Sequence, residues 1–106
     1  FAKTGGFGPW MVTADEIPDP QVLDISTVLN GQTMQSANTK DMIFDVATVI
    51  SYVSNISELQ PGDVIASGTP SGVGQSREPQ VFMQPGDTCE IHIENVGVLV
   101  NEIAEG

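Results

Sequence analysis

Val22-Leu23-Asp24-Ile25-Ser26-Thr27-Val28-Leu29-Asn30-Gly31 is the stretch on which the fold turns. Leu23, Ile25, Thr27 and Leu29 alternate with Asp24 and Ser26, the period-two pattern of a strand with one covered face. Asn30-Gly31 follows at once, and Asn-Gly accepts the two positive φ angles of a type I′ turn. The chain is therefore predicted to reverse at Asn30-Gly31 and to return over residues 32–36 as the second strand of a hairpin.

Upstream, residues 1–21 are broken by Gly5-Gly6, Gly8-Pro9 and Pro18-Asp19-Pro20, so this segment is predicted to be an ordered loop with Trp10-Met11-Val12 as its apolar anchor. Downstream, Met42, Val46, Val49, Ile50, Val53 and Ile56 recur at steps of three and four, which predicts an amphipathic helix over about residues 40–56, capped by Thr39 or Asp41, with one face buried on a sheet. Two Pro-Gly-Asp turns, at Pro61 and Pro85, each precede a strand-like run, residues 64–66 and 88–94. Asn95-Val96-Gly97 then turns the second run into 98–103. No period of 20 to 50 residues repeats and no segment is low in complexity. The elements add up to an α+β unit, predominantly β, with one main helix.

Composition narrows the partners. The chain has 106 residues, enough for one core near the lower end of the domain range. Its 3 Lys and Arg against 14 Asp and Glu leave a net charge of −11, which repels a phosphate backbone and an anionic bilayer. Nucleic acid and membrane are poor partners, and an anionic ligand would need a local cation, protein or metal. Cys89 is alone, which excludes an intrachain disulfide and suits a reducing, cytoplasmic setting. No apolar run approaches the roughly 20 residues of a membrane span, and the segment starting Phe1-Ala2-Lys3 lacks the apolar region of a secretory signal.

Residues 64–74, Val-Ile-Ala-Ser-Gly-Thr-Pro-Ser-Gly-Val-Gly, drop from an apolar run into a glycine-rich loop whose reactive side chains are hydroxyls. Such a backbone can bring its N–H groups and Thr69 against a carboxylate, or can simply connect two strands. It is not a nucleotide loop: Gly74 is followed by Gln75-Ser76-Arg77, not by the Lys-Ser/Thr of a Walker motif. Lys3, one of two lysines, can neutralise an oxyanion or stand solvated; Lys40 reads as surface. Glu90, His92 and Glu94 share one face of a strand, where they can hold a divalent metal or form a solvated outer face. Asp15, Glu16 and Asp19 make an acidic loop open to the same two readings. No serine occupies a Gly-x-Ser-x-Gly elbow, so hydrolysis by a serine triad is a poor fit.

Taken together, Phe1-Ala2-Lys3-Thr4, Gly8-Pro9-Trp10-Met11-Val12-Thr13, Asp15-Glu16-Ile17-Pro18-Asp19-Pro20, Asn30-Gly31, Asp41-Met42-Ile43-Phe44, Leu59-Gln60-Pro61-Gly62-Asp63-Val64-Ile65 and Gly68-Thr69-Pro70-Ser71-Gly72-Val73-Gly74 resemble the fumarylacetoacetate hydrolase family, in that family's order and spacing. The resemblance spans essentially the whole chain and matches the C-terminal part of the family's catalytic domain, a mixed sheet or β-roll. It implies that residues 1–106 are one portion of a single domain. The family's divalent metal, magnesium or alternatively manganese or calcium, is held by a Glu-x-Glu pair and a later aspartate in a segment preceding the match to Phe1, and this chain has no Glu-x-Glu.

Two site residues carry over by position. Lys3 matches a lysine that faces the substrate's oxygens, and Thr69, beside Gly68, matches a threonine that binds a substrate carboxylate. His92 gains no role. The resemblance implies a homodimeric, metal-dependent hydrolase that cleaves a C–C bond in a β-diketo or 2-oxo acid such as an acylpyruvate or fumarylpyruvate, with 2-oxo acid decarboxylation or isomerisation as alternatives. From a different class, a non-catalytic acidic binding or assembly module keeps the fold without the metal. The 106-residue piece alone is expected to be inactive.

Overall fold

The computed structural model describes residues 5–105. The hairpin forms where the alternation and Asn-Gly place it: β1 (Asp24–Leu29) pairs antiparallel with β2 (Gln32–Asn38), with Leu29 opposite Gln32. Asn30 and Gly31 take φ values of 48° and 80°, the two positive angles of a type I′ turn. β3 (Thr88–Ile93) pairs with the other edge of β1, and β4 (Gly97–Glu102) with β3, giving a four-stranded sheet in the order β2-β1-β3-β4. All three pairings are antiparallel. No parallel pair that would make the sheet a mixed one occurs among the described residues.

β1 and β2 do not keep one register. Leu29 and Val28 face Gln32 and Thr33, but Thr27 faces Gln35, so Met34 is an extra residue on β2. A bulge of this kind moves every later side chain of the strand to the opposite face. Gln35 thereby lies across from Thr27, on the face shared by Ile25, Ile91, Ile93 and Leu99.

Gln60-Pro61-Gly62-Asp63 and Gln84-Pro85-Gly86-Asp87 fold alike. In each, the aspartate N–H donates to the glutamine carbonyl at 3.0 Å, the glutamine N–H donates to the aspartate carboxylate at 2.8 Å, and glycine takes a φ near that of a type II turn, 100° and 93°. The second turn is tied to the hairpin: Asn30 Nδ2 donates to Asp87 Oδ1 at 2.8 Å, and Asn30 Oδ1 accepts from the Thr88 N–H at 2.9 Å. The Asn30 amide, and after it the Gln84 N–H, hold the Asp87 carboxyl below its ordinary value. A carboxylate with a lowered pKa contributes stability above the unfolded value, about 3.9, and loses it as pH falls through the folded one. In acid titrations of unfolding, the wild type is therefore expected to be more stable than Asp87→Asn at pH 6, with the gap closing below pH 4. A gap unchanged across that range would refute the linkage.

The helix is shorter than its periodicity predicts. α1 runs Val46–Ser54, not 40–56, because two caps compete for the chain ahead of it. Asn38 and Asp41 form a capping box that closes a separate 3-10 turn over Thr39–Asp41, and Met42 then leaves helical geometry with ψ 133°. Asp45 is the cap of α1, accepting from the Thr48 N–H at 2.6 Å, and Gln21 Oε1 accepts from the Val46 N–H at 2.9 Å. Those donors to Asp45, the Thr48 side chain and N–H, lower its pKa.

The run 64–66 forms no strand among the described residues, since a strand needs a partner edge and none lies beside it. Nor does α1 lay its stripe on the sheet: Val46, Val49 and Val53 are half-buried, while Ile50 and Ile56 are 45 % and 72 % exposed. Among the described residues the buried apolar side chains are Ile17, Leu23 and Cys89. The chain exposes 8299 Å², against about 5,700 Å² for a self-contained protein of its mass. Large apolar faces are uncovered, and they are of the kind that other polypeptide covers.

Candidate functional site

The glycine-rich loop is fastened to β2 at the bulge. There the backbone leaves the ladder, and the Met34 carbonyl accepts from Arg77 Nη2 while Arg77 Nε donates to the Gly72 carbonyl at 3.0 Å. Gly72 has φ 100°, and a Cβ added there would overlap the Met34 carbonyl oxygen. One residue along β2, the Gln35 amide nitrogen donates to Thr69 Oγ1 at 2.9 Å and to the Pro70 carbonyl at 2.7 Å. The loop closes on itself beyond this point: the Val81 N–H donates to the Gly74 carbonyl at 3.0 Å, so closely that a Gly74 Cβ would overlap the Val81 carbonyl.

Gly68 and Thr69 are exposed, at the tip of a loop held from beneath by Gln35 and Arg77. A hydroxyl displayed on a glycine-rich loop and held by one neutral donor, the Gln35 amide, can donate to an acceptor-only ligand such as a carboxylate. Arg77 has no carboxylate partner among the described residues, so the loop carries an uncompensated positive charge in an acidic chain. It is a charge of the sign that an anionic ligand would need nearby.

Lys3 lies outside the described residues. The segment that leads away from it passes Asn101 of β4 at Gly6 and is pinned by Trp10, whose Nε1 donates to the Val96 carbonyl at 2.6 Å. Trp10 and Phe7 form, with Ile91, Ile93 and Leu99, a cleft of about 190 Å³. This is the sheet face on which Gln35 stands, so segment 5–10 and the Thr69 loop occupy opposite ends of one face.

His92 and Glu90 stay apart from both. His92 Nε2 lies 2.8 Å from Glu90 Oε2, and the two side chains are 41 % and 33 % exposed. They face the other side of the sheet, and Glu94 instead accepts from the Asp24 N–H at 3.0 Å. Among the described residues no three of His, Cys, Asp and Glu stand close enough together to hold a metal ion. Asp15 and Glu16 sit in an exposed turn, where the Thr13 hydroxyl and then the Asp15 N–H lower the Asp15 pKa.

Gln35 and Arg77 are the residues that sequence reasoning missed. The signal for Arg77 was its being the one arginine, three residues beyond a glycine-rich loop. For Gln35 there was none, because a hairpin without the bulge would put Met34 opposite Thr27.

The family model described as fumarylacetoacetate (FAA) hydrolase C-terminal matches residues 1–104. The chain belongs to the fumarylacetoacetate hydrolase family. Among its relatives in this family is the 2,4-didehydro-3-deoxy-L-rhamnonate hydrolase of Sphingomonas sp. (strain SKA58), 48 % identical over 99 residues that make up 92 % of this chain and 35 % of that protein. The fumarylacetoacetate hydrolase of Exiguobacterium antarcticum superposes with a TM-score of 0.89 at 43 % identity, covering 94 % of this chain and 36 % of that one. The maleylpyruvate hydrolase of Sphingobium sp. SYK-6, solved with manganese(II) and pyruvate, superposes with a TM-score of 0.83 at 40 % identity over 93 % of this chain and 35 % of that one. Similar solved structures include isomerases as well as hydrolases. The chain thus spans about a third of the length of the family members it matches.

Proposed function

We propose that this chain supplies the carboxylate-binding loop and one cationic side chain of a divalent-metal-dependent hydrolase that cleaves a C–C bond in a β-diketo or 2-oxo acid of the acylpyruvate or fumarylpyruvate type. The observation that carries this reading is the anchored loop, in which Gln35 and Arg77 hold the backbone on β2 and Thr69 stays exposed. Thr69, with the Gly68 backbone beside it, fixes the carboxylate remote from the reacting bond. Lys3 places positive charge next to the oxygen on which negative charge develops. The described residues do not form a metal cage, so in this reading the ligands lie elsewhere in the protein, as residues 1–106 form the C-terminal portion of one catalytic domain. When bound, the metal, magnesium or else manganese or calcium, supplies Lewis acidity toward the 2-oxo acid end. The working form is taken to be a cytoplasmic homodimer, in keeping with the lone Cys89 and the uncovered apolar faces.

The test uses the full-length protein that carries this sequence, stripped with EDTA and reconstituted with Mg²⁺ or Mn²⁺, with acylpyruvate loss followed together with pyruvate release. Metal-dependent release of one pyruvate per substrate is the expected result, and residues 1–106 alone are expected to give none. Pyruvate release that survives metal removal would overturn the reading. The isomerase reading is favoured by the isomerases among the similar structures. It predicts a change in absorbance with no pyruvate and no loss of mass.

A further inference from the structure

We propose that Gln35 is a positioning residue that sets the direction of the Thr69 hydroxyl, making it a donor toward an anionic ligand. The proposal rests on the reading of Thr69 as the carboxylate-binding group. The argument starts at Pro70, whose carbonyl can only accept. It lies 2.7 Å from the Gln35 side-chain nitrogen, which places the NH₂ end of the amide toward the loop. The second proton of that NH₂ goes to Thr69 Oγ1 at 2.9 Å. At the other end of the amide, Gln35 Oε1 can only accept, and Thr27 Oγ1 donates to it at 3.0 Å. The polarity therefore runs one way, from Thr27 through Gln35 to Thr69. An amide nitrogen offers no lone pair, so the Thr69 proton cannot be spent on Gln35. It is left facing the exposed side of the loop, where an acceptor-only carboxylate would meet it.

The relay exists because of the bulge at Met34. In an unbulged hairpin Gln35 would face Ser26 on the far side of the sheet, and neither Thr27 nor the loop would be within its reach. The same amide holds the Pro70 carbonyl, so Gln35 orients both the hydroxyl and the backbone that presents it.

The test measures Kd by titration calorimetry on the full-length protein, stripped with EDTA so that neither ligand is turned over, with fumarylpyruvate, which has a remote carboxylate, and acetylpyruvate, which lacks one. Gln35→Met is expected to weaken fumarylpyruvate about tenfold, the order of one hydrogen bond to a charged group, and to leave acetylpyruvate within twofold. Gln35→Glu, which keeps the size and the Thr27 contact but cannot donate when ionised, is expected to weaken fumarylpyruvate at least as much, and serves if the methionine variant does not fold. In a Thr69→Val background neither substitution should have a further effect on either ligand, a result that a merely structural Gln35 would not produce. Equal weakening of the two ligands, or an effect that persists in the Thr69→Val background, would overturn the proposal. So would a Gln35→Met protein that binds fumarylpyruvate normally while Thr69→Val does not. Thr69→Val with unaltered fumarylpyruvate binding would remove the Thr69 reading itself, and the proposal with it.

Discussion

Gly72→Ala in the full-length protein is expected to lose about 2–4 kcal/mol of stability, combining left-handed backbone strain with overpacking, and to abolish binding that depends on Thr69. Two effects add at this position. Its φ of 100° is one that a side chain strains to adopt, and the new Cβ would overlap the Met34 carbonyl, which is backbone flanked by paired residues of β2 and cannot swing aside as a side chain can. The loop must lift, and lifting it separates Arg77 from Met34 and Gln35 from Thr69 and Pro70. Denaturant unfolding measures the first effect and fumarylpyruvate calorimetry the second. The exposed Ser71, next door, is the control, and Ser71→Ala should be close to wild type in both. Gly72→Ala with wild-type stability and binding would show that the loop does not dock on the bulge.

Lys3→Met, under the proposed function, is expected to lower kcat by roughly 10²–10³-fold, the loss typical when one donor to a developing oxyanion is removed. The reason is electrostatic. Of three cationic side chains in a chain of net charge −11, Lys40 is exposed next to the capping box and Arg77 donates to one loop carbonyl and one β2 carbonyl. The family resemblance sets Lys3 against the substrate's oxygens, so under the proposed function it is the cation that meets charge developing at the reacting end. Steady-state kinetics with fumarylpyruvate separates the two roles: Lys3→Met should act on kcat, whereas loss of Thr69 should act on KM. A Lys3→Met enzyme with unaltered kcat would remove Lys3 from the chemistry.

The parts of the fold written in local sequence were legible. Asn30-Gly31, the two Gln-Pro-Gly-Asp turns and Asn95-Val96-Gly97 each impose a reversal through their own backbone preferences, and each reversal is present. The α1 start was not legible, since Thr39, Asp41 and Asp45 are all competent caps and the choice among them depends on Asn38 and on Gln21 reaching from another segment. The run 64–66 has strand composition but no partner edge, and pairing is not a property of the run itself. At the site, Gly68-Thr69 stood out because a glycine-rich loop advertises its backbone. Gln35 did not, because its place depends on a single bulged residue that no local propensity announces. Arg77 reaches its acceptors through tertiary structure alone.

β2 is an edge of the sheet, and an uncovered edge invites strands from other molecules to pair with it. Here the Met34 carbonyl of that edge is taken by Arg77, and Thr69 and Pro70 are held beside it by the Gln35 side chain. The glycine-rich loop would then also guard against intermolecular β-pairing, so under the proposed function variants that free it should shed activity and solubility together. Inclusion bodies, rather than folded but inactive protein, are the form in which such variants would first be met.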